Sequence, residues 1–244
     1  MALKAAPDDQ ALLLDLQALD TKLAQLDHRA KSLPQHARLV QLATDADALR
    51  QTELEHRGAR EDVTIELSRL ESDVAVVEAR IARDTERAQS SSNAKDVQAF
   101  EHELGLLRKR QFDLEEIELT VMERLEERDS ELAETTAKLE SVRAELAALE
   151  AERDADLATI ANERTHTAAN RSTIAGKVPA DLLALYEKQR SRYGTGASLL
   201  QHGSSAGVKL FENDLQSIRA AAPDDVLICP ISDAILVRTD QSGL

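Results

Sequence analysis

The segment VTIELSRLESDVAVVEARI, residues 63–81, decides the fold of this chain. Its larger apolar side chains recur at alternating steps of four and three residues: Val63, Leu67, Leu70, Val74, Val77 and Ile81. This spacing places them on one helical face and is the seam pattern of a coiled coil. The pattern ends at SSSN, residues 90–93, where Ser and Asn side chains can satisfy the free backbone donors of a new helix. We therefore predict a helical hairpin with its tip near residues 90–93.

A similar apolar stripe returns after the tip. It comprises Val97, Phe100, Leu104, Leu107, Leu114, Val121, Leu125, Leu132, Leu139, Val142, Leu146, Leu149 and Ile160. Between Pro34 and Pro179 the chain has no proline and few glycines, which favours unbroken helix because these residues are the strongest helix breakers. We predict antiparallel arms, with Arg57 and Arg60 facing the acidic segment 123–129. Pairing of each long helix with another molecule is the alternative.

A shorter stripe precedes these arms, from Leu12 to Leu26. It is interrupted at Ser32-Leu33-Pro34, and proline disfavours helix in the residue before it. We expect a break near residues 32–34, and a hairpin domain that covers residues 1–176. Apolar positions outside the seam, such as Leu13 and Leu54, could serve a homodimer or the base of the bundle.

The long helical pattern of the sequence ends at Gly176, and shorter segments follow. Residues 177–196 predict a short helix that begins at Pro179, followed by a linker. Residues 197–244 contain short β-like runs at 208–211, 226–229 and 234–237, with a helical segment at 212–221. The expected fold class is mainly α, a long antiparallel coiled-coil hairpin with a small C-terminal α+β domain.

Composition limits the partners that this chain can have. The net charge is −15, and nearly all of it belongs to residues 1–175. Such a surface repels phosphates, so a nucleic-acid site would have to use the near-neutral tail or a local basic patch. No apolar run approaches the length that crosses a bilayer, and no signal pattern is present. With the single cysteine Cys229, these features predict a cytoplasmic protein without membrane contact.

Three segments of the sequence resemble a known family. The first runs from Ser92-Asn-Ala-Lys-Asp96 through Glu101-His-Glu-Leu104 to Arg108-Lys-Arg-Gln111. The second runs from Asp113-Leu-Glu through Val121-Met-Glu-Arg-Leu-Glu-Glu127, and the third covers Leu215-Gln-Ser-Ile218, Asp225–Pro230 and Ala234–Arg238. Together they resemble the bacterial coiled-coil proteins with a C-terminal C4-type zinc ribbon. Some relatives associate with an RNA polymerase sigma factor, secretion machinery or transcripts, so the resemblance implies regulatory binding.

The zinc ligands of that family are largely missing here. The resemblance implies two C-x-x-C pairs, the signature of a structural zinc. Alignment on Cys229 places one pair at Cys229 and Ser232, and the other at Gly203 and Ala206. One thiolate cannot hold zinc, so we predict a degenerate ribbon without metal or other cofactor, in which Cys229 is a vestigial ligand position.

Two groups of basic residues are the candidate contact sites. Near the tip lie Lys95, His102, Arg108, Lys109 and Arg110, and before the tail lie Lys188, Arg190 and Arg192. The sequence has no set of acid, base and nucleophile that would indicate an enzyme. We therefore expect a non-enzymatic adaptor or scaffold that binds protein partners through the coiled coil and the C-terminal domain. The alternative is an RNA- or DNA-binding regulator that uses the tail and its basic cluster.

Overall fold

A computed structural model describes residues 3–205 and 207–243. The helices are α1 (Pro7–Lys31), α2 (Gln35–Ser90), α3 (Ala94–Ala175), α4 (Ala180–Tyr193) and α5 (Glu212–Ala220). The strands are β1 (Ala197–Gln201), β2 (Ser204–Ser205), β3 (Val208–Lys209), β4 (Leu227–Ile228) and β5 (Ile235–Val237), and a 3-10 turn follows at Asp240–Ser242. The predicted fold class, long helices in a coiled-coil hairpin with a small C-terminal sheet region, is confirmed.

The chain divides into two compact units. One comprises residues 35–151, and the other joins the segment up to residue 34 to the segment from residue 152 onwards. The sequence analysis treats residues 1–176 as one hairpin and 197–244 as a separate domain. In the structure the N-terminal helix instead shares a core with the C-terminal sheet, because several of its apolar side chains pack there.

The unit of residues 35–151 is the hairpin formed by α2 and the first part of α3. Its buried side chains follow the predicted seam, with Leu42 and Val63 on α2 and Leu114, Val121 and Leu139 on α3. Only residues 91–93 separate the two helices. The connection is therefore short enough for the arms to be antiparallel neighbours.

The other unit contains three apolar clusters, the smallest of which joins Leu26 and Leu33 to Ile160. The largest one combines Leu13 and Leu16 of α1 with Leu182 and Tyr186 of α4. Ala197, Ile235 and Val237 of the sheet complete this cluster. Leu13 thus belongs to a core, whereas Leu54, in the other unit, is more than half exposed. The backbone of the N-terminal segment also joins the C-terminal domain, since Val226 N donates to Leu3 O at 3.0 Å and Ala5 N to Asp224 O at 2.9 Å.

The sheet has five strands in the order β3-β2-β1-β5-β4. Its central strand β1 pairs in parallel with β5, and the other pairings are antiparallel. Strand β1 is not among the predicted β-like runs, since ASLLQ lacks the alternation of a half-exposed strand. In the structure it is buried over most of its length. The predicted β-like runs are longer than the strands β3, β4 and β5.

Cys229 lies at the second, smaller apolar cluster of this unit. That cluster contains Leu200, Leu210, Leu215, Ile218, Cys229 and Leu236. Gly203, with φ of +72°, lies in the turn between β1 and β2. Ala206, the other implied ligand position of this pair, lies outside the described residues.

Candidate functional site

The tip of the hairpin is a short capped connection. α2 ends at Ser90, and Asn93 caps the start of α3 by accepting a hydrogen bond from Lys95 N at Oδ1, 3.1 Å away. Asn93 N in turn donates to Ser91 Oγ at 3.3 Å. These contacts satisfy backbone groups that would otherwise face solvent without a partner at a helix start. The tip is therefore locally ordered by its own sequence.

The predicted tip residues Lys95, His102, Arg108, Lys109 and Arg110 are all exposed. They form no ion pair with any residue in the described ranges 3–205 and 207–243. Exposed cations on one short stretch raise the local positive potential, even within an acidic protein. The structure thus brings these five side chains to one end of the hairpin and leaves their charges available.

Elsewhere in the hairpin unit, most cations are engaged by carboxylates. Pairs across the two helices are Arg38–Glu145 at 2.6 Å, Arg60–Asp129 at 2.8 Å, Arg124–Glu66 at 3.2 Å, and Arg80–Glu103. The predicted contact of Arg60 with the acidic segment is confirmed. The one predicted for Arg57 is wrong, because Glu53 lies one turn away on the same helix and binds it at 2.7 Å. Apart from the tip, the cations of this unit without an ion pair to a described residue are Arg69, Arg83 and Arg143.

Several large apolar side chains accompany the tip cations on α3. Leu106 and Phe112 are each 58% exposed, and Leu119 and Met122 follow further along the helix. Exposed apolar side chains next to charge are typical of surfaces that bind other macromolecules. This combination makes residues 95–122 the leading candidate contact surface, which we call the tip face.

The second predicted basic group, near the tail, is only partly free. Lys188 is exposed, and the guanidinium of exposed Arg192 lies 5.2 Å from the ring centroid of Tyr193. Arg190, however, binds Glu187 at 3.0 Å and Asp20 at 3.3 Å. Two of the three cations therefore remain available to a ligand, while Arg190 is held by two carboxylates of the protein.

Arg190 belongs to a buried polar network that the sequence analysis missed. At its centre is Asp20, whose side chain is 4% exposed. Its Oδ1 accepts from Arg171 Nε at 2.7 Å, and its Oδ2 accepts from the Tyr186 hydroxyl at 2.7 Å. Burial opposes ionisation of Asp20, but these hydrogen bonds and the charges of Arg171 and Arg190 outweigh it and lower its pKa. The sequence contained one indication of this network. Asp20 follows Leu16 by four residues, so it lies on the same helical face as that apolar side chain.

The Cys229 region does not fit a zinc site. Cys229 is fully buried, and in the described part of the chain no three His, Cys, Asp or Glu side chains converge as metal ligands. Burial raises the pKa of the thiol, but the polar groups of Ser232, Ile231 and Ser205 more than offset this, so its pKa lies below the usual value. Of the other three implied ligand positions, Ser232 offers only a hydroxyl, and Gly203 and Ala206 offer no side-chain ligand in place of the thiolates that tetrahedral zinc requires.

No helix among the described residues is both long enough and apolar enough to cross a membrane.

Comparison with known proteins identifies the family. Residues 16–194 match the model of the CT398-like coiled coil hairpin domain. An uncharacterised Mycobacterium tuberculosis protein is 35% identical over 242 residues, which cover 98% of each chain. A solved structure from Mycobacterium smegmatis is similar with a TM-score of 0.83 and 34% identity, covering 97% of this chain and all of that one. The structure of CT398 from Chlamydia trachomatis shares the fold, with a TM-score of 0.61 and 16% identity over 95% of this chain and 98% of the other. The chain therefore belongs to the CT398-like coiled-coil hairpin family.

Proposed function

We propose that this protein is a non-enzymatic cytoplasmic adaptor that binds protein partners through its coiled-coil hairpin and its C-terminal domain. The observation that carries the proposal is the contrast between the tip cations and the rest of the hairpin. Lys95, Arg108, Lys109 and Arg110 have no ion pair with a described residue, whereas most other cations of the unit do. Charges left unpaired at one place favour binding of a complementary surface there.

The chemistry of the tip face favours an acidic protein partner. Its exposed Leu106 and Phe112 can supply the apolar centre of an interface, and the cations around them can supply a polar rim. Rim charges act mainly on the association rate and on partner choice, and their effect is screened beyond about 8 Å at physiological salt. A polyanion such as RNA would instead contact a longer stretch and meet the acidic remainder of the helices. For this reason a protein is the better-matched ligand.

The C-terminal domain is the second binding surface in this proposal. We infer that it is a zinc ribbon whose metal has been replaced by the apolar cluster around Leu200, Leu215 and Cys229. Phe211 is 72% exposed on this domain, and Val208 of the edge strand β3 is also exposed. An exposed aromatic side chain beside a sheet edge is a suitable anchor for a partner segment. The domain would act as a docking head that needs no metal.

A comparative capture experiment tests the adaptor role. The full chain and the variant Lys95→Glu/Arg110→Glu would be immobilised, and retained proteins would be quantified by mass spectrometry. The matched control is Arg69→Glu/Arg143→Glu, which makes the same change in net charge at unpaired cations away from the tip. We expect acidic proteins that the wild type and the control retain but the tip variant loses. The same retained set for all three would reject the tip as the binding surface.

A further inference from the structure

A second heptad stripe, which we call the outer stripe, lies on α3 beside the hairpin seam, and its Leu119, Met122 and Glu126 line a groove together with Leu67 of α2. Its members are all exposed and are spaced by alternating steps of four and three residues: Glu101, Gly105, Arg108, Phe112, Glu115, Leu119, Met122 and Glu126. At its centre Phe112, Leu119 and Met122 are 58%, 62% and 48% exposed. The hairpin seam uses other positions, such as Leu114 and Val121. A stripe with this spacing is the surface that a helix offers to another helix.

Charge is distributed unevenly along this stripe. Its N-terminal half contains Glu101 and Arg108, with Lys109 beside Arg108, while its C-terminal half contains Glu115 and Glu126. Two such stripes in parallel register would place like charges opposite each other, which is unfavourable. In antiparallel orientation Arg108 and Lys109 of each copy can face the acidic C-terminal half of the other. The stripe is therefore complementary to a second copy of itself that runs in the opposite direction.

We propose that two copies of this chain associate through their α3 outer stripes in antiparallel orientation. The repeat limits the register to steps of seven residues, because residues in the two types of seam position pair across an antiparallel coiled coil. Among these we choose the register that pairs Arg108 with Glu126 of the second copy. With Ile117 level with the twofold axis, Phe112 lies opposite Met122 of the second copy, and Arg108 lies opposite its Glu126. Each pairing occurs twice, because a twofold interface is isologous.

The flanks of this interface give further complementarity and one conflict. Lys109 lies opposite Glu123 of the second copy on the same side of the stripe. At the axis Glu116 lies opposite Glu116 of the second copy, a like-charge pair that weakens the association. Within the stripe Glu115 lies opposite Leu119 of the second copy, so Phe112 and Met122 supply the apolar contact and Glu115 weakens it. The interface is thus reversible, and charge selects its orientation.

Self-association goes beyond the adaptor role and does not depend on it. The two surfaces overlap at the apolar residues Phe112, Leu119 and Met122, and at Arg108 and Lys109, which an antiparallel dimer pairs with glutamates. A protein partner at the tip would therefore compete with the second copy for these two cations. Lys95 and Arg110 lie outside the stripe, so substitutions there test partner binding separately.

Sedimentation equilibrium of the full chain over a range of concentrations tests the apolar contact. We expect a monomer–dimer equilibrium for the wild type and a dissociation constant at least about tenfold higher for Phe112→Ala/Leu119→Ala, since buried aromatic contacts carry much of an interface. The matched control is Leu106→Ala, because Leu106 is as exposed as Phe112 on the same helix but lies outside the stripe. It should dimerise like the wild type.

A charge exchange tests both the occupant and the orientation. Arg108→Glu and Glu126→Arg should each weaken the dimer several-fold, and the double variant should restore it, because it recreates both pairs with their signs reversed. A protein that stays monomeric at every concentration would overturn the proposal. So would a dimer that Phe112→Ala/Leu119→Ala leaves intact, or a double variant weaker than both single variants. None of these outcomes changes the result expected from Lys95→Glu/Arg110→Glu in the capture experiment.

Discussion

The hydroxyl of Tyr186 donates a 2.7 Å hydrogen bond to Oδ2 of Asp20, and this contact joins α4 to α1 inside the core of one unit. Burial and the adjacent carboxylate raise the pKa of Tyr186, so its hydroxyl stays protonated and remains a donor. Arg171 of α3 binds the other oxygen of the same carboxylate. One buried carboxylate thus organises three helices.

Replacement of Asp20 tests how much this network contributes to the free energy of unfolding. Asp20→Ala should lower the free energy of unfolding by about 3–5 kcal/mol, because it removes the buried carboxylate that pairs with Arg171 and Arg190 and leaves them to share Glu187. Tyr186→Phe should cost about 1.5–3 kcal/mol, the usual effect of losing a hydrogen bond to a charged group. Urea unfolding followed by circular dichroism measures both.

The control for Asp20 is Asp27, which also lies on α1 and pairs with an arginine of α3. Its contact with Arg164 has the same geometry, at 2.8 Å, but both side chains are at least half exposed. Asp27→Ala should therefore cost no more than about 1 kcal/mol. Equal losses for the two variants would contradict the role given to burial.

The same carboxylate predicts a pH dependence of stability. The pKa of Asp20 is depressed in the folded state, so its stabilisation is fully present above the unfolded value of about 3.9. It is lost as the pH falls through the lower, folded value. Asp20→Asn should therefore flatten the acid limb of the stability curve relative to the wild type. An unchanged acid limb would show that Asp20 does not couple folding to protonation.

Gly196 is predicted to tolerate no side chain. A Cβ there would collide with the ring of Tyr186, which is itself fully buried. Gly196→Ala should lower the free energy of unfolding by about 1–3 kcal/mol, as over-packing of a core does. Gly58→Ala, where a Cβ meets open space inside α2, should raise it by up to about 1 kcal/mol. Thermal melts of the two variants should therefore shift in opposite directions.

The Cys229 thiol should be protected in the folded protein. Although its pKa is lowered, the side chain is fully buried, so iodoacetamide should modify it slowly under native conditions and rapidly in denaturant. A chelator should leave the melting temperature unchanged. One zinc per chain by elemental analysis, or unfolding on addition of a chelator, would contradict the metal-free account of this domain.

Substitutions of Arg190 and of the other two tail cations should have different effects on stability. Arg190→Ala should lower the melting temperature, because Arg190 binds the buried Asp20 and Glu187. Lys188→Ala/Arg192→Ala should leave stability nearly unchanged. We expect no RNA binding that depends steeply on salt, since only two cations of this group are free. Tight binding at low salt that is abolished by Lys188→Ala/Arg192→Ala would instead support a nucleic-acid regulator.

The sequence by itself determined the hairpin, because its information is local and repeated. The steps of four and three from Val63 to Ile81 specify a helical face wherever they occur, and Asn93 caps the next helix through its own side chain. The contact between Arg60 and Asp129 also followed, since an antiparallel register extends from the tip along both arms. Where two partners competed, as for Arg57, the nearer residue on the same helix prevailed.

Only the tertiary structure decided the second unit. Strand β1 has no periodic pattern, and it becomes a strand because β2 and β5 supply hydrogen bonds on both sides. Asp20 looks like any charged residue of an exposed helix until α3 and α4 bring Arg171 and Tyr186 to it. The outer stripe of α3 likewise stands out only once the exposure of Phe112, Leu119 and Met122 is known. The physical reason is the same in each case: a repeating pattern fixes which side chains share a face, but the packing of elements distant in sequence decides which faces are covered.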